Sequence, residues 1–427
     1  MTDYAKTLNT ALENSVISSL LSKFGESIYL PKGIIVQGGE AKGKRYNATI
    51  GIALEHGQPM HLESVRECFA PFISNKDLFP YAPGLGKPEL REAWKNEMLY
   101  KNPTLKGKKF SLPCVTSGLT NALSVIASLF VNKGDEIVIP DLYWENYDLV
   151  FKEYNGGKFR TFPMFKNGGF NLEGLSSTID QCNKDKLMVL LNFPNNPTGY
   201  TPTKAEQEKI AEVLKEKANS GKKLLVLLDD AYFSLFFEEN TAKESLFSYL
   251  ADASENILAV KCDAATKEEM VWGFRLGFIT FAHKNISDKE IDALSQKLTG
   301  AIRGSLSNCP QPSQSILLHA MQAETYHEDK HKGVAIIKER YEELKSALEK
   351  YKGDKNLVPY PFNSGYFMSF DVKNTTAEEL RVLLLEKYDL GSVALGEHTL
   401  RIAFSSIDKE DIAEVIDRLY IAAKELN

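Results

Sequence analysis

Five apolar runs in the middle of the chain most constrain its fold, because each has the length and composition of a buried strand. The runs are DEIVIP (135–140), KLMVLLNFP (186–194), KKLLVLLDD (222–230), NILAVK (256–261) and LGFITFA (276–282). Amphipathic stretches lie between several of them. Strands that are apolar along their whole length are typical of parallel sheets covered by helices on both faces. We therefore predict an α/β fold with a mostly parallel central sheet between helices.

One connecting stretch, TPTKAEQEKIAEVLKEKANSG, is typical of a helix on such a sheet. Thr203 is a suitable N-cap, and Gly221 marks the end. Ile210, Val213 and Leu214 share one face of the helix, which we expect to cover the sheet.

The pattern changes after about residue 324. A long charged helix is followed by SGYFMSFDV, a helix near 376–388, HTLRIAFS and a final helix from Lys409. We predict a large domain over residues 61–324. A smaller α+β domain would combine residues 1–60 with residues 325–427.

Composition excludes several classes of function. The 427 residues carry a net charge of −6 without a basic patch, so we expect no nucleic-acid partner. The polar N-terminus and the lack of a long apolar run predict a cytoplasmic protein without a membrane partner. Seven scattered histidines and five separated cysteines predict reduced thiols and no metal site.

The loop between the fourth and fifth runs contains Lys267 and, eight residues later, Arg275. A single loop lysine is most often a solvated surface charge. A lysine amine can also form an imine with an aldehyde, and an arginine can hold a phosphate. The rest of the chain has to decide between these interpretations.

Other strand ends also carry reactive or polar residues. Asp229 and Asp230 end the third run, with Tyr232 just beyond it, and Asn196 lies in the NFPNNPTG turn at the end of the second. Each has an ordinary interpretation as a cap or a turn residue. Thr120 begins an apolar helix after a glycine turn, where free N–H groups suit a phosphate. A lysine, an acid for a ring nitrogen and a phosphate site are together what pyridoxal phosphate requires.

The order of these motifs resembles that of the class I/II aminotransferases of fold type I, and the aspartate aminotransferase group in particular. The resemblance covers nearly the whole chain. It rests on motifs in a fixed order: NATIGIA, YAPGLGKPELREA, SGLTNAL, YWENYDLVF, NNPTG, DDAY, Lys267 with Arg275 and Gly277, AIRGSLSN and HTLRIAF. It implies a fold type I pyridoxal-phosphate-dependent transferase.

The resemblance also implies roles for individual residues. Lys267, Asp229 and Tyr232 would be catalytic, with Lys267 as the Schiff-base lysine. The cofactor would be held by Leu119, Thr120, Trp144, Asn196, Asp229, Tyr232, Thr266, Lys267, Arg275 and, from the neighbouring subunit, Tyr81. The substrate would be held by Gly51, Trp144, Asn196, Arg303 and Arg401, with Arg401 on the α-carboxylate.

Some positions depart from the family pattern or leave two alternatives. Ala264 stands where a serine is common, so Thr266 is the nearest hydroxyl, and Leu119 stands where a glycine is common. Tyr143 competes with Trp144 as the ring that stacks on the cofactor. We expect Asp229, and not Asp230, to partner the ring nitrogen. Asp229→Ala should therefore cut turnover strongly, whereas Asp230→Ala should have only a mild effect on turnover.

The implied function is an aminotransferase that moves the amino group of an L-amino acid to a 2-oxo acid such as 2-oxoglutarate. Aspartate or glutamate is favoured as donor, because Arg303 would grip a side-chain carboxylate across a homodimer with shared active sites. An aromatic aminotransferase, or a lyase of the same fold, is the alternative. A cofactor-binding regulator is a further alternative, but this chain has neither the spare length nor the basic patch for a DNA-binding domain.

Overall fold

A computed structural model describes residues 3–28, 54–55, 58–59 and 73–426. The described helices are α1 (Asp3–Leu12), α2 (Val16–Leu20), α3 (Lys23–Ser27), α4 (Asn75–Leu78), α5 (Pro88–Lys101), α6 (Leu119–Phe130), α7 (Leu172–Gln181), α8 (Lys204–Asn219), α9 (Leu246–Leu250), α10 (Ala265–Glu268), α11 (Asp288–Ser305), α12 (Gln311–Met321), α13 (Tyr326–Glu349), α14 (Ala377–Lys387) and α15 (Ile412–Glu425). Short 3₁₀ turns and one π-helical segment, Asp148–Glu153, join them.

The described strands alternate with these helices through most of the chain. They are β1 (Leu54–Glu55), β2 (Gln58–Pro59), β3 (Cys114–Thr116), β4 (Glu136–Pro140), β5 (Lys158–Phe162), β6 (Phe165–Lys166), β7 (Gly169–Phe170), β8 (Lys186–Asn192), β9 (Lys223–Asp229), β10 (Ile257–Ala264), β11 (Gly277–His283), β12 (Leu357–Pro359), β13 (Phe367–Val372), β14 (Val393–Leu395) and β15 (Thr399–Ala403).

The large sheet has the order β3-β11-β10-β9-β8-β4-β5. Strands β10, β9, β8, β4 and β5 pair in parallel, whereas β11 runs antiparallel to both of its neighbours. All five apolar runs form strands of this sheet, and their residues are buried on both faces. The predicted fold class is therefore confirmed, and β11 is the antiparallel exception.

Helix α8 illustrates why the connecting segments fold as they do. The Thr203 side chain accepts the backbone N–H of Glu206, whose carboxylate in turn accepts the N–H of Thr203, so that a capping box begins the helix. Ile210 and Leu214 are fully buried beneath it. Both the start and the inward face of this helix agree with the prediction.

A second, antiparallel sheet has the order β12-β13-β15-β14 and lies near the C-terminus with α14 and α15. The described N-terminal segment contacts two helices of residues 61–324, α6 and α11. Ser22 Oγ donates to the Ser128 carbonyl of α6, and Lys297 Nζ of α11 donates to the Gly25 carbonyl at 2.6 Å. The domain boundaries that we give above remain a prediction.

Candidate active site

Strand register gathers the predicted site residues at one edge of the large sheet. Asn192 at the end of β8 pairs with Asp229 at the end of β9. Ala264 at the end of β10 pairs with Gly277, which pairs in turn with Thr116 at the end of β3. The loops that follow β3, β8, β9 and β10 therefore meet at the carboxyl edge, where ligands bind in open α/β sheets, and the loop after β10 is the one that leads into β11.

A cleft opens at this edge. Its walls contain Leu119, Thr120, Trp144, Tyr147, Asn192, Asn196, Asp229, Ala231, Tyr232, Thr266, Lys267 and Arg275. Nine of these twelve residues belong to the predicted site. Tyr147, Asn192 and Ala231 do not.

Lys267 projects into the cleft from the one-turn helix α10. Its Nζ lies 4.9 Å from the centre of the Tyr232 ring. Burial lowers the pKa of Lys267 below its ordinary value, the Asp229 carboxylate opposes that effect, and the Arg275 guanidinium adds to it. A lowered pKa increases the fraction of neutral amine, which is the form that attacks an aldehyde or accepts a proton.

Asp229 forms the floor of the cleft and is almost completely buried. Its carboxylate accepts the Tyr147 hydroxyl at 2.6 Å and the Ala231 N–H at 3.1 Å. Burial raises the pKa of Asp229 to about 6, although these hydrogen bonds lower it. A buried carboxylate of this kind is stabilised by a cationic partner such as a protonated ring nitrogen.

The sequence analysis did not identify two residues that hold Asp229, one at its carboxylate and one at its backbone carbonyl. Tyr147 is buried beneath the cleft and donates to Asp229 as described. Asn192 donates from its amide to the Asp229 carbonyl at 2.7 Å and accepts the Asn196 N–H at 2.7 Å. The sequence could have indicated Asn192, because it is the polar residue that ends the apolar run from Leu187 to Leu191.

The opposite end of the cleft suits a phosphate. Gly118 precedes α6 with a φ of 79°, and a Cβ there would lie 2.4 Å from Nη2 of Arg275. Glycine therefore lets the guanidinium lie against the start of the helix, where the first backbone N–H groups have no partner within the helix. A guanidinium beside a helix N-terminus is a donor set that fits a phosphate dianion.

The two candidate stacking rings differ in their placement. Trp144 lines the cleft and packs edge-on against Tyr147, with ring centres 5.6 Å apart. Tyr143 points elsewhere, because its hydroxyl donates to Asp148 and its ring packs against Phe159. This placement favours Trp144, whose stacking on a cofactor stays a prediction.

Arg401 lies in a groove that continues from the cleft. The groove is lined by Thr120, Tyr143, Trp144, Glu145, Asn146, Asp148, Leu149, Asn196, Val393, Leu395 and Arg401. Arg401 Nη1 donates to Asn196 Oδ1 at 2.8 Å, and its guanidinium lies 4.3 Å from the centre of the Phe367 ring. Among the described residues, its buried Nε has no hydrogen-bond partner. A planar donor with an unused N–H is suited to a carboxylate ligand.

Asp230 is directed away from the cleft into a buried ionic network. It accepts Lys261 Nζ at 2.5 Å and Ser245 Oγ at 2.6 Å. Lys261 Nζ also lies 3.1 Å from Asp263 Oδ2. The side chains of Lys261, Asp230 and Asp263 are all almost fully buried. These contacts predict that Asp230→Ala lowers stability, because the substitution leaves a buried cation short of a partner. A mild effect of Asp230→Ala on turnover stays a prediction.

Two predicted residues that the structure describes, Tyr81 and Arg303, line neither the cleft nor the groove. Tyr81 is 64% exposed, and Arg303 is exposed at the end of α11, where it donates to Ser307 at 2.6 Å. The amide of Asn308 donates to the Ala82 carbonyl at 2.9 Å, so the two segments adjoin each other on the surface. Gly51 lies outside the described residues.

Two further searches covered only the part of the chain that the structure describes. No group of three or more histidine, cysteine or acidic side chains is arranged to hold a metal ion there. No described helix is both long and apolar enough to cross a bilayer.

The fold and the cleft together define a pyridoxal-phosphate-dependent enzyme, and comparison with known proteins gives the family. Residues 49–419 match the family "Aminotransferase class I and II", and the chain belongs to it. It is therefore a transaminase that uses pyridoxal phosphate.

Three relatives illustrate the breadth of the likeness. An aspartate aminotransferase of Sulfurisphaera tokodaii is 27% identical over 79% of this chain and 81% of its own length. The crystal structure of an aminotransferase from Anaerococcus prevotii matches with a TM-score of 0.74 at 23% identity, covering 100% of this chain and 97% of that one. An α-aminoadipate aminotransferase from Thermus thermophilus, complexed with N-(5'-phosphopyridoxyl)-L-leucine, matches with a TM-score of 0.67 at 22% identity, covering 98% and 97%.

Proposed function

We propose that the enzyme transfers the amino group of an L-amino acid, with aspartate or glutamate favoured, to a 2-oxo acid such as 2-oxoglutarate. One observation carries this proposal: the half-buried Lys267 lies in one cleft with Asp229 and Arg275, and Arg401 lies in the adjoining groove. These are the groups that an amino acid and a phosphorylated aldehyde cofactor require.

Each end of the cleft would hold a different part of the cofactor. Asp229 would keep the ring nitrogen protonated, while Arg275, Thr266, Thr120 and the Leu119 N–H would hold the phosphate. When bound, pyridoxal phosphate supplies a ring that withdraws electrons from the substrate's Cα. Lys267 Nζ would accept the Cα proton, a role that its lowered pKa supports.

The remaining predicted residues would orient the ring and the substrate. Trp144 would stack on the ring, while Asn196 and Tyr232 would contact its phenolic oxygen. Arg401 would hold the α-carboxylate, a role supported by its position next to Asn196 and by its Nε, which has no hydrogen-bond partner in the described part of the chain. Fixing the carboxylate sets the direction of the Cα–H bond relative to Lys267.

Preference for a dicarboxylate depends on a second subunit in this proposal. Arg303 would cross a homodimer interface to bind the side-chain carboxylate, and Tyr81 would reach the partner's phosphate. The exposure of Arg303, Tyr81 and Leu306 on adjoining surface segments supports a shared interface. The relative named an aspartate aminotransferase also favours this substrate class.

Aromatic donors are the second candidate, and one observation favours them. Trp144, Leu149, Val393 and Leu395 give the groove beside Arg401 a partly apolar lining. Such side chains would accommodate an aromatic ring without requiring any charge on it.

A panel of amino donors against 2-oxoglutarate, oxaloacetate and pyruvate would test the substrate class. We expect aspartate and glutamate to have the highest kcat/KM, with transfer that depends on the oxo acid. Equal kcat/KM for aspartate and for uncharged donors would refute the dicarboxylate preference. A higher kcat/KM for phenylalanine would favour the aromatic alternative.

We also propose the division into a large domain over 61–324 and a small one from 1–60 and 325–427. A cytoplasmic location is supported by the free thiols of Cys114, Cys182, Cys262 and Cys309. Limited proteolysis and cell fractionation would test these two proposals.

A further inference from the structure

Two glutamates follow Lys267 directly, and both side chains are buried. Glu268 and Glu269 are only 5% and 4% exposed. Acidic side chains are rarely buried to this extent unless they have partners. The reaction proposed above uses neither of them, so their burial behind the reactive lysine needs a separate explanation.

Their main partner is Lys330 of the long helix α13. Lys330 Nζ lies 2.7 Å from Glu268, 2.9 Å from Glu97 and 3.1 Å from Glu269. Lys101 Nζ lies 2.9 Å from both carboxylate oxygens of Glu268. We call the set the Lys330 cluster, and its members are Glu97, Lys101, Glu268, Glu269, Tyr326 and Lys330.

The cluster attaches the turn that carries Lys267 to two long helices. Glu97 and Lys101 belong to α5, whereas Tyr326 and Lys330 belong to α13, which leads toward the four-stranded sheet. Tyr326 donates to Glu269 at 2.9 Å. Helix α10 has only four residues, so its orientation depends more on such side-chain contacts than on its own hydrogen bonds.

A second, steric contact joins α13 to the same turn. Met270 follows the two glutamates with a φ of 55°, which is unfavourable for a residue with a side chain. A Cβ at Gly333 of α13 would lie 2.2 Å from the Met270 methyl carbon. A glycine inside a helix weakens it, and here it gives room to the residue that ends the lysine's turn.

The turn is held on the cleft side as well. The Tyr366 hydroxyl donates to the Lys267 carbonyl at 3.1 Å, and its ring lies 5.5 Å from that of Tyr232. The lysine backbone is therefore fixed from the cleft by Tyr366 and from behind by the Lys330 cluster.

We propose that Lys330 is a positioning residue, which places the Lys267 amine by holding Glu268 and Glu269 and so links helix α13 to the reactive turn. This inference rests on the proposed role of Lys267. Lys330 is not among the residues that line the cleft or the groove, so we expect it to touch neither substrate nor cofactor. Displacement of a catalytic group by about 1 Å can cost about 100-fold in rate, so loss of the cluster should affect the chemical step.

The test compares three cofactor-loaded proteins: the Lys330→Met variant, the Lys338→Met variant and the unsubstituted enzyme. Lys338 is an exposed residue of the same helix, paired at 3.7 Å with Glu342, and is the matched control. The measurements are kcat and KM for the best donor, the thermal unfolding midpoint, and the pH midpoint of the absorbance band of the Lys267–cofactor bond. Lys330→Arg tests whether a cation restores function.

We expect Lys330→Met to lower kcat by about tenfold or more while KM stays within about threefold. The absorbance midpoint should move, Lys330→Arg should recover part of both, and Lys338→Met should match the holoenzyme. A lower unfolding midpoint with unchanged kcat and unchanged absorbance midpoint would show a merely structural role and overturn the proposal.

If Lys330→Met does not fold, Glu269→Gln replaces it in the test, because glutamine keeps the shape of the side chain. The measurements are again kcat and the pH midpoint of the absorbance band. Unchanged kcat and absorbance midpoint in Glu269→Gln would overturn the proposal. Failure of the proposed function is distinguishable, since Lys267→Ala would then retain activity whatever the Lys330 variants do.

Discussion

Tyr147→Phe tests how the cleft controls the charge of Asp229. Phenylalanine preserves the buried ring, which packs edge-on against Trp144 and Phe151, and removes only the hydroxyl. That hydroxyl donates to Asp229 Oδ2 at 2.6 Å. The substitution therefore separates the hydrogen bond from the packing of the site.

The expected magnitude follows from the burial of this pair. A hydrogen bond to a charged group contributes about 1.5–3 kcal/mol, and one pKa unit corresponds to about 1.4 kcal/mol. Losing a bond that stabilises the carboxylate should therefore raise the pKa of Asp229 by about one to two units. From about 6, the pKa would rise above neutrality.

A higher pKa leaves less ionised Asp229 to pair with the protonated ring nitrogen. At pH 7 the ionised fraction should fall by about two- to tenfold, and affinity for pyridoxal phosphate should fall with it. The loss of affinity in Tyr147→Phe should shrink as the pH rises. It should vanish above about pH 9, where Asp229 is ionised in the unsubstituted protein and in the variant alike.

The assay is a titration of cofactor-free protein with pyridoxal phosphate, followed by absorbance between about pH 6.5 and 9. Tyr143→Phe is the matched control, because its hydroxyl donates to Asp148 and not to Asp229. Unchanged affinity in Tyr147→Phe at every pH, or an equal loss in Tyr143→Phe, would refute the reasoning.

Three further predictions concern other groups. Lys267→Ala should lose the borohydride-reducible bond to the cofactor and nearly all transamination; near-full activity would disprove its assignment. Asp230→Ala should lower the free energy of unfolding by about 3 kcal/mol in urea titrations, because Lys261 loses one of the two acids that it contacts among the described residues; unchanged stability would contradict the buried network. Arg303→Ala should cost ~2–5 kcal/mol of transition-state binding for aspartate, on the order of 30- to several-thousand-fold in kcat/KM, and spare phenylalanine; an equal loss for all donors would mean that Arg303 is structural.

The central sheet could be predicted from the sequence because its strands are apolar throughout. Burial on both faces removes the need for polar residues, so the runs are visible without any tertiary information. The direction of β11 was not visible in the same way. Parallel and antiparallel buried strands have similar composition. The feature that indicates the direction of β11 is its short connection from β10, which contains the one-turn helix α10 and a 3₁₀ turn.

The cleft was predicted where motifs place a residue directly after a strand. Asp229 ends β9, Lys267 and Asn196 belong to loops that follow β10 and β8, and the register of these strands brings the three together. Tyr147 could not be found by this reasoning, because it reaches Asp229 from a turn 82 residues away along the chain. Contacts of that kind depend on how the elements pack, which local patterns do not encode.

The two neighbouring acids at the end of β9 show what strand geometry adds to a motif. Successive side chains of a strand point to opposite faces, so Asp229 in the cleft requires Asp230 to face away from it. A buried acid on the far face needs a cation there. Lys261 of the adjacent strand β10 provides it, since β10 pairs with β9 in parallel and Asp230 donates its N–H to the Cys262 carbonyl. The sequence therefore contained the requirement for a partner of Asp230, whereas the choice of Lys261 among the chain's lysines depended on the strand order.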